Sequence, residues 1–142
     1  MVFDPPRVPE RAHEEGDETM PDINEAVVTY LAAWNETDTE RRRALVARAW
    51  AEGGAYVDAH RKGEGHAGLD AMIAAAQGQF PGYRLRLIST IEAHGGGARF
   101  GWAAGGTADA PLYLAGTDFV TLAADGRFDL VTGFIDAAPA SV

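Results

Sequence analysis

Residues 115–136 read AGTDFVTLAADGRFDLVTGFID, and two features of this stretch decide the fold. Asp125-Gly126 is a dipeptide suited to a tight hairpin turn, so the runs on either side of it are expected to be neighbouring antiparallel strands. The first, Leu112–Leu122, is apolar on both faces, which predicts a central strand or one whose outer face is covered by a second subunit. Asp118 interrupts that run where an unpaired charge would be costly to bury. The second, Phe128–Ile135, completes the hairpin.

Upstream, the pattern stays strand-like. Arg99–Ala104 places Phe100 and Trp102 on a common side, Gly95–Gly97 forms a turn, and Gly105–Pro111 is a looser loop. Tyr83, Leu85, Leu87, Ser89 and Ile91 alternate with Arg84 and Arg86, as one strand buried on a single face would.

Before residue 83 the periodicity becomes helical. Ile23, Val27, Tyr30, Leu31 and Trp34 recur at helical spacing behind a capping-box pair, Asp22 and Glu25. Thr39 is the expected cap of a second helix, with Leu45, Val46, Ala49 and Trp50 inward, arginines 41–43 wet, and Gly53-Gly54 as its stop. A short strand, Ala55–Asp58, and a polar loop, Ala59–Gly68, lead to a third helix from about Leu69, carrying Met72, Ile73, Ala76 and Phe80 and ended by Pro81-Gly82. Helices first and a meander of strands afterwards specify an α+β layer architecture.

Composition narrows the partners. Cysteine is absent, which removes disulfides, thiolate metal sites and cysteine nucleophiles. The net charge is −9; residues 1–20 hold six acids against two arginines, −4 of that total, leaving −5 for the rest. Neither part is basic, so nucleic acid and anionic membrane surfaces are poor partners. No apolar run approaches the roughly 20 residues of a membrane helix, and the N-terminus lacks a secretory pattern, so a cytoplasmic protein is expected. Residues 1–20, rich in proline and charge, are expected to be a disordered acidic tail, with one domain at 21–137 and a short tail at 138–142.

Three residues stand out for chemistry. Asp118 would have its charged form disfavoured by burial; the competing reading is an aspartate satisfied by local hydrogen bonds. Asp58 closes a strand at the mouth of a loop, where functional groups collect and where turn-capping aspartates also sit. Tyr30 lies on the buried stripe of the first helix and needs a partner for its hydroxyl. His60 and His66, near Asp58 and Glu64, fit no common metal-ligand spacing, so no metal and no cofactor is expected.

The segments VVTYLAAWNETD (residues 27–38), AYVDAH (residues 55–60) and the opening stretch, in this order, resemble the nuclear transport factor 2-like superfamily, particularly its SnoaL-like branch. The resemblance covers Asp22–Asp136. It implies a cone-shaped fold, three helices packed on a strongly curved mixed or antiparallel sheet enclosing a pocket, and often a homodimer through the sheet's outer face, here Tyr113, Phe119 and Thr121.

Tyr30, Asp58 and Asp118 match the catalytic tyrosine, base and second aspartate of ketosteroid isomerase. Carried over, Asp58 removes a proton α to a carbonyl, while Tyr30 and a protonated Asp118 donate hydrogen bonds to the enolate oxygen. In SnoaL-like cyclases the strand carboxylate can be the base, which would exchange the roles of Asp58 and Asp118. Trp50 stands where the isomerase has a supporting tyrosine, Ala59 replaces a proline, and the loop before Gly65 is shorter.

The resemblance therefore implies an isomerase or aldol-type cyclase acting on a hydrophobic small molecule. Trp34, Trp50, Tyr56, His60, Met72, Phe80, Phe100, Trp102 and Val120 are the expected pocket lining. The alternative is a non-catalytic dimeric binding module with the same pocket. Epoxide hydrolysis ranks third, because no arginine accompanies Asp118 on its strand.

Overall fold

The structure is a computed structural model that describes residues 22–105 and 113–137. The expected tails at 1–20 and 138–142, and most of the loop before Tyr113, lie outside the described residues. Three helices, α1 (Ile23–Asn35), α2 (Thr39–Ala49) and α3 (Gly65–Gln79), pack on a seven-stranded sheet. Its strands are β1 (Trp50–Val57), β2 (Lys62–Glu64), β3 (Arg84–Leu87), β4 (Glu92–His94), β5 (Gly97–Gly105), β6 (Tyr113–Leu122) and β7 (Phe128–Ala137). The order is β2-β1-β7-β6-β5-β3, with β4 also on β5.

The opening hairpin is present: β6 pairs antiparallel with β7, and β5 with β6, so β6 is central as its two apolar faces require. The sheet is nonetheless mixed, because β1 runs parallel to β7, with Tyr56 opposite Val131 and Val57 opposite Thr132. The intervening helix α3 and strands supply the long connection that a parallel pair needs. Alternate residues of β5, β6 and β7 face the helices: Phe100, Trp102, Gly116, Asp118, Val120, Val131 and Gly133 are buried. Val27, Tyr30, Leu31 and Trp34 of α1, with Leu69, Met72 and Ile73 of α3, close the core over them.

Several local expectations are corrected. Asp22 makes no side-chain cap to α1; its carboxylate instead accepts from the Asn24 amide at 3.3 Å. Asp38, not Thr39, caps α2, accepting from Arg41 N–H at 3.0 Å. Arg42 is 5% exposed rather than wet, because Asp70 of α3 holds its Nε at 2.6 Å. Gly53 and Gly54 do not stop a helix but lie inside β1, since the chain turns extended already at Trp50 to pair with Phe128.

The loop after Asp58 contains β2, and α3 begins at Gly65, four residues before Leu69. The single strand expected over 83–91 breaks after Leu87, where Ser89 Oγ accepts the Gly101 N–H at 2.7 Å and Ile88 turns to solvent.

Candidate active site

The helical stripe of α1 carries Tyr30 onto the sheet, where the rings of Trp50, Phe100 and Phe128 surround it at centroid distances of 5.2, 5.8 and 5.3 Å. Its hydroxyl donates to Asp118 Oδ2 at 2.7 Å. The other carboxylate oxygen, Oδ1, accepts from the Trp102 indole N–H at 3.0 Å. Asp118 is 1% exposed, so its ionised form survives only through these two donors. Burial pushes its carboxyl up from an ordinary 3.8 to about 6; the Tyr30 and Trp102 hydrogen bonds pull against that rise, and the charge of Asp58 adds to it. Burial, and next the Asp118 charge, raise the Tyr30 phenol well above its ordinary value.

Two glycines make the arrangement possible by close approach. Gly116 lies opposite Trp102 in the sheet, and a Cβ there would stand 2.5 Å from Cζ2 of the indole. Gly133 lies opposite Asp118, and its Cβ would stand 2.9 Å from Asp118 Oδ1 and 2.8 Å from the Tyr56 hydroxyl oxygen. The missing side chain thus leaves a gap into which a phenol and a carboxylate converge from different strands.

Tyr56 turns that gap into a link. Its hydroxyl donates to Asp58 Oδ2 at 2.7 Å, while its own pKa is raised by burial first and by the Asp118 charge next. Asp58 Oδ1 accepts from the backbone N–H groups of His60, at 2.7 Å, and Arg61, at 2.9 Å, so this aspartate also caps the turn after β1. The three residues expected from the sequence are therefore gathered in one region: Tyr30 touches Asp118 directly, and Tyr56 lies between Asp118 and Asp58.

A cavity of about 380 Å³ opens beside this cluster. Trp34, Tyr56, His60, Phe80 and Trp102 line it, as does Asp58. Tyr30 and Asp118 are not on its wall; they sit behind Tyr56 and Trp102. Trp50, Met72, Phe100 and Val120 are also off the wall, because all four are packed into the core, two of them around the Tyr30 ring. Sequence reasoning missed Arg61, Gln79 and Tyr83 on the wall. Arg61 left a signal as the basic residue three positions after Asp58, and Tyr83 as the first residue of the alternation read as buried on one face.

His66 is not part of the site; its Nε2 lies 2.9 Å from the Trp50 carbonyl. Among the described residues no group of three or more His, Cys, Asp or Glu side chains could hold a metal. No described helix is long and apolar enough to cross a membrane.

No family model and no curated protein matches the chain. Solved structures do. A protein named as a proposed isomerase of the SnoaL-like family from Agrobacterium tumefaciens is 50% identical, with a TM-score of 0.74, over 80% of this chain and 96% of that one. A nuclear transport factor 2-like protein from Exiguobacterium is 17% identical, with a TM-score of 0.64, over 80% and 99%. A proposed SnoaL-like polyketide cyclase from Jannaschia is 18% identical, with a TM-score of 0.62, over 80% and 86%. The latter two share the fold. Half of all aligned residues shared with the Agrobacterium protein over nearly its whole length goes further: the chain belongs to the SnoaL-like family and has the nuclear transport factor 2-like fold.

Proposed function

We propose that this protein abstracts a proton α to a carbonyl in a hydrophobic small molecule, without a cofactor, as an isomerase or aldol-type cyclase. The observation that carries the reading is the placement of Asp58 as the carboxylate on the cavity wall, hydrogen-bonded to Tyr56, whose hydroxyl and the buried Asp118 both approach Gly133. The names of the Agrobacterium and Jannaschia proteins point the same way.

In the proposed step Asp58 takes the proton, and the electron pair of the broken C–H bond moves to the carbonyl oxygen as an enolate. Protonation removes the negative acceptor that held the Tyr56 hydroxyl, which is then free to donate to the enolate oxygen. Burial first, and then the Asp118 charge, raise the Tyr56 pKa, so that it stays a phenol, and Tyr30 and Trp102 hold Asp118 in place. In an isomerase Asp58 returns the proton to another carbon; in a cyclase the enolate carbon attacks a second carbonyl of the same molecule. Tyr30 and Asp118 are thus positioning residues here, because the Tyr30 hydroxyl is already engaged by Asp118 and neither residue lines the cavity.

The test is binding of 2-naphthol, whose anion mimics an enolate, to the native protein and to Asp58→Asn. Asparagine keeps an acceptor for the turn but removes the charge, so the variant should bind the naphtholate more tightly. A second reading, a binding module without catalysis, is favoured by one observation: both oxygens of Asp58 already accept hydrogen bonds. It predicts equal naphthol affinity for the two proteins, and that outcome would overturn the enzyme.

A homodimer through the sheet's outer face belongs to the same proposal. Tyr113, Phe119 and Phe134 are exposed there, with Phe119 and Phe134 edge to face at 5.7 Å. Sedimentation should give a dimer at micromolar concentration and a monomer for Phe119→Asp; a native monomer would refute this assembly.

A further inference from the structure

We infer that Arg61 anchors a carboxylate of the ligand, so that the substrate is an anionic carbonyl compound with an apolar body. This deepens the reading of the cavity given above and rests on it. Arg61 is on the cavity wall, half-buried, and its backbone is clamped to Asp58 in both directions: its N–H donates to Asp58 Oδ1 at 2.9 Å, and its carbonyl accepts from Asp58 N–H at 2.9 Å. The origin of the side chain is therefore fixed with respect to the proposed base.

The head group is underused. A guanidinium carries five N–H donors. Among the described residues that of Arg61 makes one hydrogen bond, from Nη2 to Gln79 Oε1 at 3.1 Å, and no ion pair, although Asp58 is three residues away. Arg41, Arg42, Arg43, Arg99 and Arg127 each face a carboxylate; Arg48, Arg84 and Arg86 face none among the described residues either, but they are exposed and off the cavity wall. A fork left open at the polar, solvent-facing part of the cavity wall matches the two oxygens of a carboxylate, a geometry that Arg binds in bidentate fashion.

The balance of polar groups around the cavity agrees. The Asp58 carboxylate, the Gln77 carbonyl and the Gln79 carbonyl already accept hydrogen bonds, from Tyr56 and the turn, from Arg42 and from Arg61. One buried hydroxyl of a wall residue, that of Tyr83, has no partner among the described residues. The wall's side-chain acceptors are thus engaged while the remaining Arg61 N–H groups are donors, so the complementary ligand group is an acceptor oxygen. The charge of Arg61 is also felt at the Tyr56 phenol, where it opposes Asp58 and Asp118. A ligand carboxylate held there would extend its apolar part along Trp34, Phe80 and Trp102 and present its carbonyl near Asp58 and Tyr56.

The experiment uses two probes of one shape, 2-naphthoate and 2-naphthamide, followed by quenching of tryptophan fluorescence in the native protein, Arg61→Gln and Arg61→Lys. The native protein should prefer the acid by about tenfold or more. Arg61→Gln should abolish the preference, weakening the acid far more than the amide, and Arg61→Lys should keep part of it. Equal affinity for both probes in the native protein, equal weakening of both by Arg61→Gln, or no binding of either would overturn the assignment. The naphthol comparison with Asp58→Asn carries no carboxylate, so the enzyme reading stands or falls separately.

Discussion

Tyr30 and Asp118, 88 positions apart in the chain, meet in a fully buried hydrogen bond of 2.7 Å in which the phenol donates to Oδ2. The bond joins the first helix to the central strand, so it lies on the path from fold to site. With Trp102 on the other oxygen, it leaves Asp118 a carboxylate held in an environment that favours its neutral form.

A consequence is a stability term of definite sign. The Asp118 pKa is raised on folding, from an ordinary 3.8 to about 6. Between those values the unfolded chain is ionised while the folded one keeps its proton, so the folded state binds more protons and stability falls as pH rises through the window. The loss amounts to about 3 kcal/mol and is complete roughly one unit above pH 6. Denaturant unfolding of native protein and Asp118→Asn from pH 4 to 7 should show it as a difference between the two curves, with a protonated-carboxyl infrared band titrating near pH 6 in the native protein alone. A native band that disappears near pH 4 would contradict it.

Removing the donor moves the same group further. Tyr30→Phe takes one of two hydrogen bonds from the buried carboxylate, so the Asp118 midpoint should rise above its native value. Loss of a hydrogen bond to a charged group should cost about 1.5–3 kcal/mol of stability at neutral pH, and less at pH 4, where Asp118 is neutral. The infrared titration and the two unfolding midpoints check both halves of this expectation.

The helices are pinned by a second buried charge. Arg42 Nε meets Asp70 Oδ1 at 2.6 Å, Arg42 Nη1 meets Gln77 Oε1 at 3.3 Å, and the Gln77 amide donates to the Trp34 and Glu36 carbonyls at 3.0 and 2.9 Å. This chain ties α2 and α3 to the end of α1 behind the cavity wall. Arg42→Ala strands Asp70 with only the exposed Arg43 beside it, and should cost about 3–5 kcal/mol in chemical unfolding. Arg41→Ala, at an exposed pair, should change stability by less than about 1 kcal/mol.

The Arg42 pairing also marks where sequence reasoning stopped. The apolar stripe of α1 and the alternation of β5 and β6 are local periodicities, so Tyr30, Phe100, Trp102 and Asp118 could be placed on buried faces from the chain alone. The partner of Arg42 lies 28 residues away on another helix, and nothing local distinguishes it from the exposed Arg41 and Arg43. The parallel pairing of β1 with β7 is equally non-local, and the helix stop read at Gly53-Gly54 comes four residues late because that pairing already starts at Trp50. On the cavity wall, Trp34, Tyr56, Asp58, His60, Phe80 and Trp102 were legible, whereas Arg61, Gln79 and Tyr83 were not, and neither was side-chain orientation. Whether Trp50 and Phe100 line the cavity or cage Tyr30 depends on side-chain packing across three elements, and they cage it.

Gly133 offers the sharpest test of the link between the acids. A Cβ at this position would stand 2.8 Å from the Tyr56 oxygen and 2.9 Å from Asp118 Oδ1, closer than side chains tolerate. Neither neighbour yields easily, since Tyr56 is bonded to Asp58 and Asp118 to Tyr30 and Trp102. Gly133→Ala should therefore cost about 1–3 kcal/mol by overpacking and should weaken 2-naphthol binding, because Tyr56 must leave its place between the carboxylates. Gly78 is the control: it lies inside α3 with nothing within 4 Å of its would-be Cβ, so Gly78→Ala should stabilise by about 0.5–1 kcal/mol and leave naphthol binding unchanged. If Gly133→Ala lost stability but bound naphthol as the native protein does, Tyr56 would be a packing residue and the enolate donor would have to be sought elsewhere on the wall.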